Sequence, residues 1–141
     1  MGIVALDINA TIDHVSKKDI VGPKTIWKLG IIDTRIRKQL EDIAWEYETD
    51  PSQPGTGKVK ASFNIGKGEI EFVAFGLKGF ENFTDKDGTP VEFKTEKRMM
   101  ANKIYYVVSD EVIKVIPGDI ITELANRIKE INKVGEEERK N

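Results

Sequence analysis

The sequence predicts a single α+β domain with a small, mainly antiparallel sheet, a β-hairpin and two principal amphipathic helices. Its length of 141 residues suits one ordinary domain with one core. Short runs of alternating apolar and polar residues indicate strands, and two longer runs with helical spacing of apolar residues indicate helices. No stretch approaches the roughly 20 apolar residues that a membrane-spanning helix needs. We therefore expect a soluble protein.

Two extended segments and a helix are expected in the first third of the chain. Apolar residues nearly alternate through residues 1–15, which indicates a strand or arm with one face covered. Residues 24–29 are rich in β-branched and aromatic side chains, which indicates a second strand. Asp33 is suited to cap the helix that follows, because its carboxylate can accept free amide protons of the first turn. The apolar residues of this helix, which is about 15 residues long, are Ile36, Leu40, Ile43, Ala44 and Tyr47.

The middle of the chain combines a predicted loop, a helix and a hairpin. Residues 50–58 contain two prolines and two glycines, and we predict a mobile loop there. Residues 59–75 alternate like a strand at first and then repeat with helical spacing, and we favour a helix over residues 67–77. Residues 80–94 indicate two short strands around a turn, in which Gly88 can adopt the left-handed conformation. A β-hairpin is therefore expected at residues 80–94.

The last third of the chain predicts a strand and two helices. Residues 103–108 give one of the strongest strand signals in the sequence. Ser109 is placed to cap a short helix, which Pro117 ends. The apolar residues after Pro117 repeat with helical spacing and predict a final helix of roughly 15 residues, with Gly135 at its C-terminal cap. Residues 136–141 include five charged side chains among six, and we expect this tail to be frayed.

The composition argues against several classes of chemistry. Lysine and arginine number 22 against 24 aspartates and glutamates, so no basic surface for nucleic acid is indicated. The chain has no cysteine and one histidine, which excludes disulfides, a thiolate zinc site, a cysteine nucleophile and multi-histidine metal centres. We expect no enzymatic activity, no cofactor and no bound metal. The high charge content is compatible with a thermophilic source.

Three local features are better explained by structure than by chemistry. His14 is the only imidazole, and its extended segment specifies no catalytic partner, so we favour a structural or solvent-facing histidine. Residues 85–88 read Asp-Lys-Asp-Gly, like the centre of a calcium loop, but the flanking carboxylates of such a loop are missing. Gly66 and Gly68 lack the further residues of a phosphate-binding loop. A plain turn and ordinary backbone glycines are the preferred interpretations.

A longer segment resembles a family of phage proteins. Residues 76–93 read Gly-Leu-Lys-Gly-Phe-Glu-Asn-Phe-Thr-Asp-Lys-Asp-Gly-Thr-Pro-Val-Glu-Phe. This run resembles a recurrent GLxGWxNFxDxxGxxVxF segment of small tailed-bacteriophage and prophage proteins. Phe80 stands where those proteins usually carry tryptophan. The strand-like residues 25–29 before a helix, and the charged ending at residues 136–141, also resemble that family.

The resemblance implies a role in head and tail morphogenesis rather than in catalysis. The protein would be a virion component or a tail assembly factor, located in the host cytoplasm during assembly or in the virion. Its implied partners are other phage structural or assembly proteins and further copies of itself, with no nucleic acid and no membrane. The family brings no established functional residues with it. The alternative is a small phage regulatory protein that binds host transcription or replication machinery.

The predicted hairpin at residues 80–94 is the element that we expect to contact a partner. Two aromatic residues and two glycines stand directly before its turn. We interpret the hairpin as an exposed element that adds to a neighbouring subunit. Core packing of the aromatic residues around a tight passage from helix to strand is the alternative interpretation. The residues expected to bind a partner are Phe80, Phe83, Asp85, Asp87 and Gly88, with Trp27 as a weaker choice.

Overall fold

Five strands and four helices make up the part of the chain that the computed structural model describes, which is Ala5 and residues 7–48, 57–100 and 102–140. Within these ranges, only the backbone is described for residues 42–48, 57–65 and 134–140. The predicted α+β class is confirmed. In chain order the elements are β1 (Thr11–His14), β2 (Ile26–Gly30), α1 (Thr34–Glu48), α2 (Gly57–Gly76), β3 (Leu77–Glu81), β4 (Thr95–Met100), β5 (Lys103–Val108), α3 (Asp110–Ile113) and α4 (Gly118–Lys140).

The strands form two antiparallel sheets. The first has the order β1-β2-β3, and the second is the hairpin of β4 and β5. In the first sheet, Trp27 on the central strand lies between His14 on one side and Phe80 on the other. In the hairpin, Met100 pairs with Lys103 next to the turn. Strand β2 is the only central strand among these five, which explains why its residues are mostly buried.

The core lies where α1, α2 and α4 meet the sheets. Helix α2 contacts both α1 and α4, and it also contacts β3 and β5. Burial of these apolar side chains supplies the main favourable free energy of folding. The large side chains that are almost fully buried are Leu29, Ile36, Leu40, Val73, Val107, Val108, Val112, Leu124 and Ile128.

Local capping positions α1 as predicted. Oδ1 of Asp33 accepts the N–H of Ile36 at 3.0 Å, which satisfies one of the free amides of the first turn. Ser109 stands at the N-cap of α3 with extended backbone, but its hydroxyl makes no capping hydrogen bond. Its Oγ is buried and has no hydrogen-bond partner among the described residues. The predicted cap position is correct for Ser109, and the predicted capping interaction of its side chain is absent there.

A buried asparagine joins α4 to the connection between β2 and α1. Oδ1 of Asn132 accepts the N–H of Ile32 at 2.9 Å, and Nδ2 of Asn132 donates to the carbonyl of Ile128 at 2.7 Å. The backbone carbonyl of Asn132 accepts a bond from Arg37 at 3.3 Å. Because buried backbone amides require partners, Asn132 completes the hydrogen bonding where the chain leaves the sheet.

Two helices are longer than predicted. Helix α2 begins at Gly57, ahead of the predicted start at residue 67, and it runs through both Gly66 and Gly68. A glycine inside a helix costs only about 1 kcal/mol relative to alanine, which tertiary packing can offset. Likewise, α4 does not end at Gly135 but continues to Lys140, so the backbone predicted to be frayed is helical up to that residue. The glutamates and basic residues beyond Gly135 are strong helix formers.

The structure also changes two predictions about extended segments. Residues 80–94 are not a regular hairpin, because β3 ends at Glu81 and only the isolated bridge between Thr84 and Pro90 joins the two sides. Proline has no N–H with which to extend a ladder. Of the described residues up to position 15, which are Ala5 and residues 7–15, only those of β1 form a strand, and the apolar side chains of Ile8 and Ile12, expected on a covered face, are exposed.

The mobile loop predicted at residues 50–58 falls mostly on residues 50–56, which lie outside the described part of the chain. The two remaining residues, Gly57 and Lys58, belong to the first turn of α2. None of the helices in the described ranges is long and apolar enough to cross a membrane.

Candidate protein-contact site

Residues 84–90, which lie within the predicted contact element at residues 80–94 and are called the contact loop below, are exposed along their length and held by their own hydrogen bonds. Oδ1 of Asp85 accepts the N–H groups of Asp87 at 2.9 Å and of Thr89 at 3.0 Å. The N–H of Gly88 donates to the carbonyl of Asp85 at 3.0 Å. Gly88 has a φ of +81°, a conformation that other residues rarely adopt. Asp85 and Gly88 therefore fix the shape of the contact loop.

Asp85 and Asp87 are both exposed, but within the described ranges the Asp87 carboxylate makes no hydrogen bond or ion pair, whereas that of Asp85 accepts two. Of the two predicted aspartates, one therefore builds the contact loop and the other is available to a partner. The contact loop is preorganised, so binding through it does not require its backbone to be ordered first.

Three of the predicted contact residues form an aromatic cluster beneath the contact loop. Ring centroids are 5.8 Å apart for Trp27 and Phe80, 5.0 Å for Trp27 and Phe83, and 5.1 Å for Phe80 and Phe83. Phe93 extends the cluster, 5.3 Å from Phe80. Such edge and tilted contacts stabilise a core beyond simple area burial. Trp27, expected as a weaker contact residue, is a buried core residue that also belongs to the lining of the second groove described below.

Phe80 and Phe83 are half-buried and pack against the main core. Much of the surface of these two side chains is therefore used in core packing, which was the alternative interpretation. Phe83 also lines both of the grooves described next, so part of it is accessible to a partner.

Two adjoining grooves flank the contact loop, and both are lined by Phe83, Thr84 and Pro117. The first, of about 490 Å³, lies between the contact loop and α3. The second, of about 350 Å³, lies between the contact loop and the segment that joins β1 to β2. The further residues of the first groove include Val91, Glu92, Lys94, Glu111, Val112 and Val115, and those of the second include Ser16, Lys18, Val21, Pro23 and Ile120.

Exposed apolar side chains border these two grooves. Val21 is 79% exposed in the second groove, and its neighbour Ile20 is 83% exposed. Val115 is 48% exposed in the first groove. None of these three residues was predicted from the sequence. The exposure of Ile20 and Val21 could have been predicted. These two residues directly precede the Gly-Pro turn, and they belong to no alternating or helical pattern of apolar residues that would bury them.

The charged residues around the grooves carry both signs. Lys94 donates to Oε2 of Glu111 at 3.2 Å beside the first groove. Lys18 donates to Oδ2 of Asp119 at 3.1 Å near the second, and this hydrogen bond lowers the pKa of Asp119. Mixed charge of this kind is typical of the polar rim of a protein interface and gives no attraction to a polyanion.

A hydrogen-bonded cluster of His14, Ser16 and Glu123 lies next to the second groove. The two oxygens of Glu123 are 2.7 Å from Nε2 of His14 and 2.9 Å from Oγ of Ser16. Burial by itself would raise the pKa of Glu123, but the bonds from His14 and Ser16 outweigh it and the pKa is lowered. Since the ionised carboxylate only accepts, Nε2 of His14 donates the proton.

This cluster does not have the order of a hydrolytic triad, in which the serine hydroxyl bonds to the imidazole. Here Ser16 and His14 both bond to the carboxylate, so the imidazole does not act as the base for the hydroxyl. The arrangement agrees with a structural histidine. Glu123, its partner, was missed because 109 positions separate the two residues in the sequence.

A smaller cleft of about 160 Å³ contains two further polar contacts. The hydroxyl of Tyr105 donates to Oδ2 of Asp33 at 3.1 Å, and burial together with this bond raises the pKa of Tyr105. Nζ of Lys78 donates to the carbonyl of Phe75 at 2.8 Å, and desolvation lowers the pKa of Lys78. Because the last carbonyls of a helix lack intrahelical partners, Lys78 stabilises the end of α2.

Within the described ranges, no group of three or more histidine, aspartate and glutamate side chains is placed to hold a metal ion. No protein-family model, curated protein or solved structure matches the chain. The assignment of a role therefore depends on the geometry of the contact loop and its grooves, together with the resemblance of residues 76–93 to phage proteins.

Proposed function

We propose that this protein is a non-enzymatic morphogenesis protein of a tailed phage, either a virion component or a tail assembly factor. It acts by binding another phage protein through the contact loop and the two grooves beside it. The observation that carries this proposal is the juxtaposition of a preorganised, exposed loop with the exposed apolar residues Ile20, Val21 and Val115.

This surface has the anatomy of a protein interface. Single exposed apolar residues are normal on any protein, but here they border adjoining grooves and are surrounded by charged side chains. Interfaces typically combine an apolar centre with a polar rim, and binding is favoured when the contact elements are already ordered. The contact loop meets the second condition through the two bonds to Asp85.

The polar groups of the grooves favour docking over catalysis. Asp85 is occupied by the amides of its own loop, and Glu111 pairs with Lys94. Acid-base catalysis needs a group that is free to exchange a proton with a bound substrate. The proposal therefore assigns these side chains to loop structure and to the rim of the interface.

The phage context comes from the resemblance of residues 76–93. The positions that match the phage segment include Gly76 at the end of α2, Phe83 in the aromatic cluster, and Asp85 and Gly88 in the contact loop. These are the residues that shape this region of the fold. A protein with the same segment would accordingly present the same loop, which supports a shared mode of binding.

Complementation of a phage that lacks the gene tests the proposal. Val21→Lys and Val115→Lys place a charge at the centre of the surface, whereas Lys133→Ala changes an exposed residue of α4 and serves as the control. We expect both valine variants to fold normally by circular dichroism but to yield few infectious particles, with unjoined heads or tails in electron micrographs. The control variant should restore normal yield.

Two results would overturn the proposal. Full complementation by both valine variants would show that the surface has no role in assembly. Co-purification of the protein with host polymerase or replication proteins alone, and not with phage structural proteins, would favour the regulatory alternative. Mass spectrometry of particles and of assembly intermediates distinguishes these cases, and it also separates a virion component from an assembly factor.

A further inference from the structure

The inner face of the hairpin of β4 and β5 combines charged residues with apolar ones. Glu96 and Arg98 lie on the face that packs against the helices, where both are half-buried. Arg98 donates to Oε2 of Glu71 at 2.7 Å, and its guanidinium lies 5.6 Å from the ring centroid of Phe75. The inner face is thus stabilised partly by an ion pair and a cation–π contact.

The outer face of this hairpin is apolar and exposed. Met99 is 72% exposed, Ile104 is 56% exposed and Tyr106 is 65% exposed. Met99 lies directly opposite Ile104, and Tyr106 lies two residues further along the same strand, so the three side chains share one face. Ile8, 54% exposed, lines the same cleft as Tyr106 and extends the strip. We call these four residues the outer strip.

We infer that this protein forms a homodimer in which the outer strip of one protomer packs against the outer strip of its partner. At the exposed fractions above, the outer strip presents on the order of 400–500 Å² of apolar surface. A standard interface buries about 800 Å² per partner, of which about 57–65% is apolar. The outer strip therefore supplies about the apolar area that one side of a stable dimer needs.

A second copy is the occupant that best fits the chemistry of the outer strip. Lys97, opposite Tyr106, is the only charged residue of β4 and β5 on the outer face. Its aliphatic stem can cover apolar surface while its ammonium stays in water. A face with so little charge offers no complement to an acidic or basic partner. A twofold axis instead places identical apolar rows opposite each other, and two sheets pack face to face in this way at a separation of about 10 Å.

This inference does not depend on the contact loop. No residue of the outer strip lines either groove beside the contact loop, so the dimer and the phage-protein contact can fail separately. A two-stranded hairpin is also marginally stable by itself, and a second layer on its outer face would stabilise it.

The absence of cysteine from the chain provides a direct test by crosslinking. Single-cysteine variants Met99→Cys, Ile104→Cys and Tyr106→Cys are oxidised mildly, with Lys133→Cys, at an exposed position of α4 outside both proposed contact surfaces, as the control. Residues near a twofold axis lie close to their own copies, so at least one outer-strip variant should form a covalent dimer much faster than the control. Equal rates for all four variants would overturn the inference.

Sedimentation of the unmodified chain provides the second measurement. We expect a dimer whose dissociation constant rises at least about tenfold with Tyr106→Lys, and also with Met99→Lys. Both side chains are exposed in the protomer, so neither change should lower the melting temperature of the monomer. A wild-type chain that remains monomeric at about 100 μM would contradict the inference, as would variants with an unchanged dissociation constant.

Discussion

Nε2 of His14 lies 2.7 Å from Oε2 of Glu123, which joins the edge strand β1 to α4. Ser16 donates to the other oxygen of the same carboxylate at 2.9 Å. The apolar side chains of Ile8 and Ile12 are exposed, so this end of the first sheet has little apolar packing of its own. The contacts of Glu123 therefore attach the first strand to the helices.

Replacement of Glu123 by glutamine should destabilise the fold by about 1–2 kcal/mol at neutral pH, because two hydrogen bonds to a charged group are weakened. The pKa of Glu123 is lowered in the folded state, so its contribution is complete above the ordinary glutamate value of 4.5 and is lost as the pH falls below it. Urea unfolding should therefore show a larger difference between wild type and Glu123→Gln at pH 7 than at pH 3.

Glu130→Gln is the matched control for this experiment, because Glu130 is an exposed carboxylate of the same helix that pairs with Arg127. Its effect on the free energy of unfolding should stay within about 0.5 kcal/mol. The same loss of stability for Glu123→Gln at both pH values would contradict the role assigned to the ionised carboxylate.

The same substitution should have opposite effects at two glycines of α2. A Cβ atom at Gly76 would lie 2.7 Å from Cδ1 and Cγ2 of the buried Ile128, whereas a Cβ at Gly68 would meet no atom within 4 Å. Gly76→Ala should therefore destabilise by about 1–3 kcal/mol through overpacking. Gly68→Ala should stabilise by about 0.5–1 kcal/mol, because alanine has the higher helix propensity.

Denaturant unfolding of the two alanine variants measures this difference. Partial rescue of Gly76→Ala by Ile128→Val would show that the clash with α4 is the cause, since valine removes one of the clashing atoms. A change of stability in the same direction for both alanine variants would contradict the close approach of α2 and α4 at Gly76.

Replacement of the buried Asn132 should lower the free energy of unfolding. Asn132→Ala removes the acceptor of the Ile32 amide and leaves that buried N–H without a partner. A loss of about 2–3 kcal/mol in the free energy of unfolding is expected. Asn126→Ala, at an exposed position of the same helix, should change stability by less than about 0.5 kcal/mol. Similar effects at the two positions would contradict the assigned hydrogen bonds.

Much of the fold follows from local patterns in the sequence. The cap at Asp33, the 15-residue helix after it and the left-handed glycine at Gly88 were all predicted, because each depends on residues close in the chain. The extents of α2 and α4 were not, because a glycine inside a helix costs only about 1 kcal/mol, which the rest of the helix can offset, so a glycine that interrupts a pattern does not mark a helix end.

The candidate site was predictable only in part. The sequence indicated the contact loop, but the burial of Trp27 depends on β2 being the central strand, which no local signal specifies. The bond from His14 to Glu123 joins residues 109 positions apart, and that from the Ile32 amide to Asn132 joins residues 100 positions apart. Such contacts arise from the topology of the fold.

The two aspartates of the contact loop should behave differently. Asp85→Ala removes the acceptor for the amides of Asp87 and Thr89, so their hydrogen exchange should accelerate at least about tenfold. Asp87→Ala should leave the exchange of the Thr89 amide unchanged, because that amide donates to Asp85 and the Asp87 carboxylate makes no hydrogen bond within the described ranges. Nuclear magnetic resonance exchange rates check both outcomes. Equal protection of Thr89 in the two variants would contradict the role of Asp85.

The most direct test of the proposed contact site is a photocrosslinking amino acid at Val115, introduced while the phage assembles. Mass spectrometry of the crosslinked product identifies whatever protein lies against the first groove. The proposed function predicts one dominant adduct with a phage structural or assembly protein, and no such adduct from the same probe at Lys133. A probe at Val115 that captures no phage protein, or captures it no better than the probe at Lys133, would contradict the proposal.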